Sequence, residues 1–173
     1  FIGVLEKFIQ LACGVDQLGA VAVASDSFGI RNQGQSSAES VAVAQAIIAM
    51  GSAAGVAAQV TIAVAFGCPF GGEVDADHVL AMAERLASAG PVEIALADTI
   101  GVAVPAQVTD LFTALRRALP EMKLRAHFHN TRNTGIANVW AAVEAGVDTI
   151  DASIGGLGGC PFAPGAAGNV ATE

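Results

Sequence analysis

His127 and His129 stand two apart in the run RAHFHNT, and they are two of the three histidines in the chain. On an extended strand residues i and i+2 share a face, so both imidazoles point one way and Phe128 the other. Two ring nitrogens aimed at one point make a metal-ligand pair. The same spacing also suits two buried histidines satisfied by hydrogen bonds. Zinc usually takes a closed set of nitrogen and sulfur donors, whereas oxygen donors completing the sphere make Mg2+ or Mn2+ the expected ion. Downstream, Cys160 lies in GGLGGCPFAPGAAGN, with glycines before it and Pro-x-x-Pro-Gly after it. Such a loop can close as a lid and stay stiff at its tip. A thiol with an ordinary pKa near 8.5 can give a proton to a carbanion or take one from a hydroxyl; the alternative is an incidental loop cysteine.

Asn169 follows Cys160 by nine positions. Its carboxamide could supply a neutral oxygen ligand, or it could cap a helix starting at Val170. Asp98, in IALADT, could hold a histidine in place or cap the turn after its own strand. Asp151 and Ser153 alternate on the last apolar run and can face an interior or form a polar layer. Cys68, in a second GCPF at residues 67–70, reads as incidental, and His78 as a solvated residue on an outer helix.

A repeated phrase must position these groups. CGVDQLGAVAVAS (13–25), AGVAAQVTIAVA (54–65), AGPVEIALADT (89–99) and AGVDTIDAS (145–153) each pair a helix stop with a short apolar strand. The glycine suits the left-handed position that ends a helix. ALPEMKLRAHFHN (118–130) uses proline instead. Strands rich in Val, Ile and Ala imply a parallel sheet buried on both faces. Helices are expected over 37–54, 74–88, 105–119 and 134–145, the last with Ile136, Val139, Trp140 and Val143 packed together on the sheet.

Strands alternating with helices imply right-handed βαβ crossovers, and the unit length suits a (β/α)8 barrel of about 250 residues. Residues 1–173 are therefore expected to be one α/β domain. They would form the last five βα units of a TIM barrel, with its N-terminal strands outside this sequence. A doubly wound open sheet is the other reading, but no GxGxxG follows the first strand. In a barrel the chemistry gathers at the C-terminal strand ends. Here those ends hold Ser25 to Ser27, Phe66 to Phe70, Asp98 and Thr99, His127 to Asn130, and the loop from Gly155 to Asn169.

Bulk composition excludes several classes. A formal charge of −8 with eight scattered basic residues leaves no basic patch for nucleic acid. Three irregularly spaced cysteines suit a reduced intracellular protein, and FIGVLEKFIQ lacks the features of a signal peptide. No charge occurs from Val41 to Gly72. The glycines and Pro69 that interrupt this run favour a helix, a turn and a strand in series over a membrane span. A soluble cytoplasmic protein is expected.

The run GGLGGCPFAPGAAGNVATE, with AHFHNT, LADTIGV, ASDSF and FGCPF before it, resembles the 3-hydroxy-3-methylglutaryl-CoA lyase family. That family belongs to the metal-dependent TIM-barrel lyases and Claisen-type synthases, and the likeness extends over nearly the whole chain. It implies cleavage of 3-hydroxy-3-methylglutaryl-CoA to acetyl-CoA and acetoacetate, chemistry of leucine degradation and ketone bodies, in a homo-oligomer such as a dimer. On its pattern His127, His129 and Asn169 match ligands of a divalent cation, Mg2+ or Mn2+. Cys160 matches the acid/base of a mobile loop, His127 is also implicated in proton transfer, and Asp98 matches a residue needed for activity. The family's aspartate ligand and its neighbouring arginine, on the first barrel strand, are not in this sequence. Asn130 stands where the family often has an acid, Ala95 where it often has serine, and TRNTG at 131–135 departs from the commoner wording. A related aldolase or condensing enzyme, or a barrel subunit without catalysis, are the competing readings.

Overall fold

The computed structural model describes residues 7, 10–159 and 168–173. Each glycine stop of the repeat is followed by a strand. Gly14, Gly55, Gly90 and Gly146 all take positive φ, between 69° and 84°, where a side chain would clash with its own carbonyl. The strands are β1 (Gln17–Val23), β2 (Ala57–Ala63), β3 (Ile94–Asp98), β4 (Leu124–Phe128) and β5 (Thr149–Asp151). All four pairings are parallel, and the spatial order is the chain order β1-β2-β3-β4-β5. A doubly wound sheet reverses its order partway, whereas successive staves of a barrel do not. The order therefore supports the barrel.

Between the strands run α1 (Asp26–Gln33), α2 (Ser37–Ala53), α3 (Ala76–Ala87), α4 (Pro105–Ala118) and α5 (Gly135–Glu144). Ser36 and Glu39 start α2 with a reciprocal capping box. Asp75 caps α3 by accepting from the Asp77 N–H, and Pro105 occupies the first turn of α4. The uncharged run resolves into α2, a turn and β2. Among the described residues no helix is long and apolar enough to cross a membrane.

Burial on both strand faces holds for β3 but not for its neighbours. On β1, β2 and β4 burial alternates. One set, Leu18, Ala20, Ala22, Ala58, Val60, Ile62, Ile94, Leu96, Leu124, Ala126 and Phe128, is buried in the main core. The opposite set carries Gly19, Gln59, Thr61, Arg125 and His127, none of them fully buried. This second face is the polar one, and it carries the candidate chemistry.

The apolar stripe expected on α5 is a correction. Its buried residues are Gly135, Asn138, Ala141 and Ala142, while Ile136, Trp140 and Val143 are 61%, 68% and 50% exposed. Trp140 therefore does not pack helix to sheet. The helix sits too close for large side chains: a Cβ on Gly135 would lie 2.9 Å from the Val170 side chain. Asn138 donates instead to the Ala103 carbonyl at 2.9 Å.

At the opposite end of the sheet Asp148 joins three elements. One of its oxygens accepts from the Leu124 N–H at 2.8 Å and from the Arg116 guanidinium at 2.7 Å. The Leu124 N–H, aided by Arg116, holds this carboxyl below the usual range. A depressed folded pKa contributes stability that is present above the ordinary carboxylate pKa and lost as pH falls through the folded value. Asp148→Asn should thus lower stability at pH 7 by roughly 1 kcal/mol or less, because the pair is partly solvated, and flatten the acid limb of stability against pH. Urea unfolding from pH 2 to 7 measures both; an unchanged acid limb would remove Asp148 from the account.

Candidate functional site

At the exit of β4 the alternation is as the spacing predicts. Phe128 turns into the core, its ring centroid 6.1 Å from that of Phe66. His127 and His129 lie together on the other side, ring centroids 5.2 Å apart and nearly edge-on. His129 is buried, while the His127 side chain keeps 29% exposure.

Residues 168–170 lie against this exit. The Asn130 N–H donates to the Gly168 carbonyl at 3.0 Å, the Val170 N–H donates to the Phe128 carbonyl at 3.3 Å, and His129 bridges to Asn169. The helix expected from Val170 does not form among residues 168–173, so Asn169 is no helix cap. Strand-like pairing to β4 takes the backbone groups a helix would use. Glycine is required here: a Cβ on Gly168 would fall 2.0 Å from the Gly156 carbonyl oxygen, and one on Gly158 would fall 2.4 Å from Nδ2 of Asn169. The Asn169 amide donates from Nδ2 to the Leu157 carbonyl at 2.9 Å, which fixes its orientation. Its Oδ1 is buried with no hydrogen-bond partner.

An orphaned buried acceptor is costly in water-free surroundings. On a residue whose backbone bridges to His129 it is also a ready oxygen donor. Two nitrogens and a neutral oxygen fit a hard divalent ion with further oxygen ligands better than a closed zinc site. Among the described residues no group of three or more His, Cys, Asp or Glu side chains could hold a metal by itself. The candidate set is His127, His129 and Asn169.

Asp98 is fully buried at the end of β3. Its Oδ1 accepts from the Val102 N–H at 2.9 Å and its Oδ2 from the Ala103 N–H at 3.0 Å. Capping of the turn is therefore observed, and Asp98 also lies near enough to His129 for their charges to interact. Burial outweighs these contacts and holds its carboxyl above the ordinary range. Thr99 turns its hydroxyl to the Val64 N–H at 2.8 Å.

Asp151, on β5, places Oδ2 3.1 Å from Nδ1 of His127 and takes Arg125 on Oδ1 at 2.6 Å. The hydrogen bond with His127 is the main reason its carboxyl stays below the usual range. An ionised carboxylate only accepts, so Nδ1 supplies the hydrogen of this contact, and in the neutral ring the lone pair then lies on Nε2. Ser153 donates its hydroxyl to the Leu157 carbonyl and does not join the histidines.

Other strand-end residues form a separate knot. Ser25 donates to the Cys68 sulfur at 3.1 Å, Ser27 lies 3.4 Å from it, and the Phe70 and Gly71 N–H groups point to it. Burial raises this thiol, but four donors together bring it below its ordinary pKa. Asp26 accepts from the Ser37 N–H at 2.7 Å, tying α1 to α2. His78 is exposed, with Nε2 3.3 Å from the Ser37 hydroxyl. Asn130 accepts from the Gly135 N–H at 2.9 Å, a structural task an aspartate does equally well. Cys160 lies outside the described residues. The sequence reading overlooked Glu93 and Arg125; their signal is charge on strands that are otherwise apolar.

The family model described as HMGL-like matches residues 6–173. The chain is 43% identical over 165 residues to the (R)-citramalyl-CoA lyase of Chloroflexus aurantiacus, covering 95% of this chain and 52% of that protein. It is 41% identical over 160 residues to the hydroxymethylglutaryl-CoA lyase of Pseudomonas mevalonii, covering 92% and 53%. Among solved structures, an HMG-CoA lyase from A. baumannii in complex with coenzyme A and 3-methylmalate superposes with a TM-score of 0.91 at 37% identity, covering 98% of this chain and 55% of that one. The chain thus spans about half the length of these relatives.

Proposed function

The chain belongs to the HMGL-like family, and on that premise we propose that it supplies most of the active site of a carbon–carbon lyase acting on a carboxylated 3-hydroxyacyl-CoA. The observation that carries this reading is the buried, unpartnered Oδ1 of Asn169, on the residue whose backbone bridges to His129, with the His127 and His129 rings side by side. We assign 3-hydroxy-3-methylglutaryl-CoA as substrate, cleaved to acetyl-CoA and acetoacetate in a cytoplasmic homodimer. The part of the relatives' length that this chain does not span would hold the aspartate and arginine the family likeness calls for. His127, His129 and Asn169 would hold a Mg2+ or Mn2+ ion, which would supply Lewis acidity.

The protein's own groups carry the protons. Transfer of the hydroxyl proton to the Cys160 thiolate lets the C–O electrons form the ketone while the neighbouring C–C bond breaks. The bonding pair passes to the thioester as an enolate, and the Cys160 thiol protonates its carbon. His127 has one lone pair, on Nε2, while Nδ1 is engaged by Asp151. It can therefore ligate or take a proton at Nε2, not both at once, and its fixed orientation favours ligation. Asp98 holds the turn after β3 by accepting from the Val102 and Ala103 N–H groups.

Release of acetyl-CoA by the purified protein with Mn2+ tests the proposal, using 3-hydroxy-3-methylglutaryl-CoA, (R)-citramalyl-CoA and the free hydroxy acids. Turnover of a thioester but of no free acid supports it, and no turnover of any substrate favours the non-catalytic subunit. Preference for (R)-citramalyl-CoA, the second reading favoured by the Chloroflexus relative, would keep the chemistry and change the substrate. Cys160→Ala should cut turnover by roughly 10²-fold, the scale of a lost general acid, with metal affinity unchanged by calorimetry. Undiminished turnover would reject that role.

A further inference from the structure

Inside the sheet a chain of ionic contacts runs from the foot of β3 to the candidate metal site. Glu93, buried just before β3, accepts Nε of Arg125 on Oε2 at 2.5 Å and the Thr149 hydroxyl on Oε1 at 2.7 Å. The Arg125 guanidinium, so gripped, donates from its other side to Oδ1 of Asp151 at 2.6 Å. Oδ2 of Asp151 is then left to meet Nδ1 of His127 at 3.1 Å. Strand register builds the arrangement, since Arg125 stands opposite Thr149 and His127 opposite Asp151. Each member has its partner, and the planar guanidinium fixes which carboxylate oxygen goes where.

We propose that Asp151 is a positioning residue that sets the tautomer and ring orientation of His127, and that Arg125, clamped by Glu93, fixes the Asp151 carboxylate for that task. The inference deepens the metal-site reading and rests on it only for the use made of the Nε2 lone pair. A carboxylate behind a ligating histidine keeps the hydrogen on the far nitrogen and makes the near one a better donor. Neither Arg125 nor Asp151 would touch substrate.

Asp151→Asn gives a test that shape alone cannot pass. Arg125 can only donate, so the asparagine oxygen stays on the guanidinium and the amide NH2 turns to Nδ1 of His127. That nitrogen must then accept, and the hydrogen moves to Nε2, where it blocks the lone pair the cation would use. Long-range 1H–15N spectra of 15N-histidine-labelled, metal-free protein at pH 8 read the tautomer directly. We expect Nδ1–H in the parent and Nε2–H in Asp151→Asn, with the His129 signals unmoved. Mn2+ affinity by calorimetry should fall about 10- to 100-fold in the variant, at an unfolding midpoint close to the parent's. An Nε2–H tautomer in the parent would overturn the proposal without any variant, as would Nδ1–H retained in Asp151→Asn. If the tautomer switches but the parent binds no Mn2+, the positioning stands and the metal reading falls.

Discussion

Replacing His129 with alanine is expected to abolish tight divalent-metal binding. The side chain is buried, edge-on to His127, with its backbone bridged to Asn169. Removing it takes one nitrogen from the candidate set while leaving the backbone that carries the other donors. Apparent binding energies of about 10–16 kcal/mol for four-ligand structural zinc sites share out to roughly 3–4 kcal/mol per ligand. That corresponds to a loss of about 10²- to 10³-fold. A harder ion with more water in its sphere starts weaker, so the remaining affinity should fall out of the calorimetric range. The variant also leaves a small buried void, costing on the order of 1–3 kcal/mol of stability. Binding measured well below the unfolding midpoint separates the two effects. Unaltered Mn2+ affinity in a folded His129→Ala protein would take His129 out of the ligand set.

What could be read from the residues divides by the range of the interaction. The helix stops and strands were legible because a left-handed glycine and a short apolar run are local, and Gly14, Gly55, Gly90 and Gly146 behave as their positions predict. The common face of His127 and His129 follows from strand geometry alone. Helix α1 escaped because DSFGIRNQ has no apolar stripe; it buries only Phe28 and Gly29 and is tied down by Asp26. Trp140 misled because apolar periodicity finds a stripe but not which face can approach the sheet, and small residues at Gly135, Ala141 and Ala142 decided that. Asn169 looked like a helix cap because its pairing partner lies forty residues upstream at His129. Glu93, Arg125 and Asp151 were invisible as a unit for the same reason: only the register of β3, β4 and β5 brings them together.

Asp98→Ala should destabilise the fold by about 2–4 kcal/mol and weaken the site with it. The substitution leaves the Val102 and Ala103 N–H groups without the acceptors they now share, and unsatisfied buried donors cost about 1–3 kcal/mol each. Relief of a fully buried carboxylate offsets part of that loss, since burial already disfavours its charged form. The damage should not stay local. The Ala103 carbonyl receives both the Thr134 hydroxyl and the Asn138 amide, so the turn that Asp98 caps also seats the start of α5. Asp98→Asn separates the two tasks, because its oxygen can still take one N–H while its charge beside His129 is gone. If Asp98 serves only as a cap, the asparagine variant should recover about half the lost stability and keep metal affinity. If its charge also tunes His129, affinity should drop more than stability. Urea unfolding and Mn2+ titration on both variants decide between these, and an Asp98→Ala protein as stable as the parent would contradict the buried hydrogen bonds on which both depend.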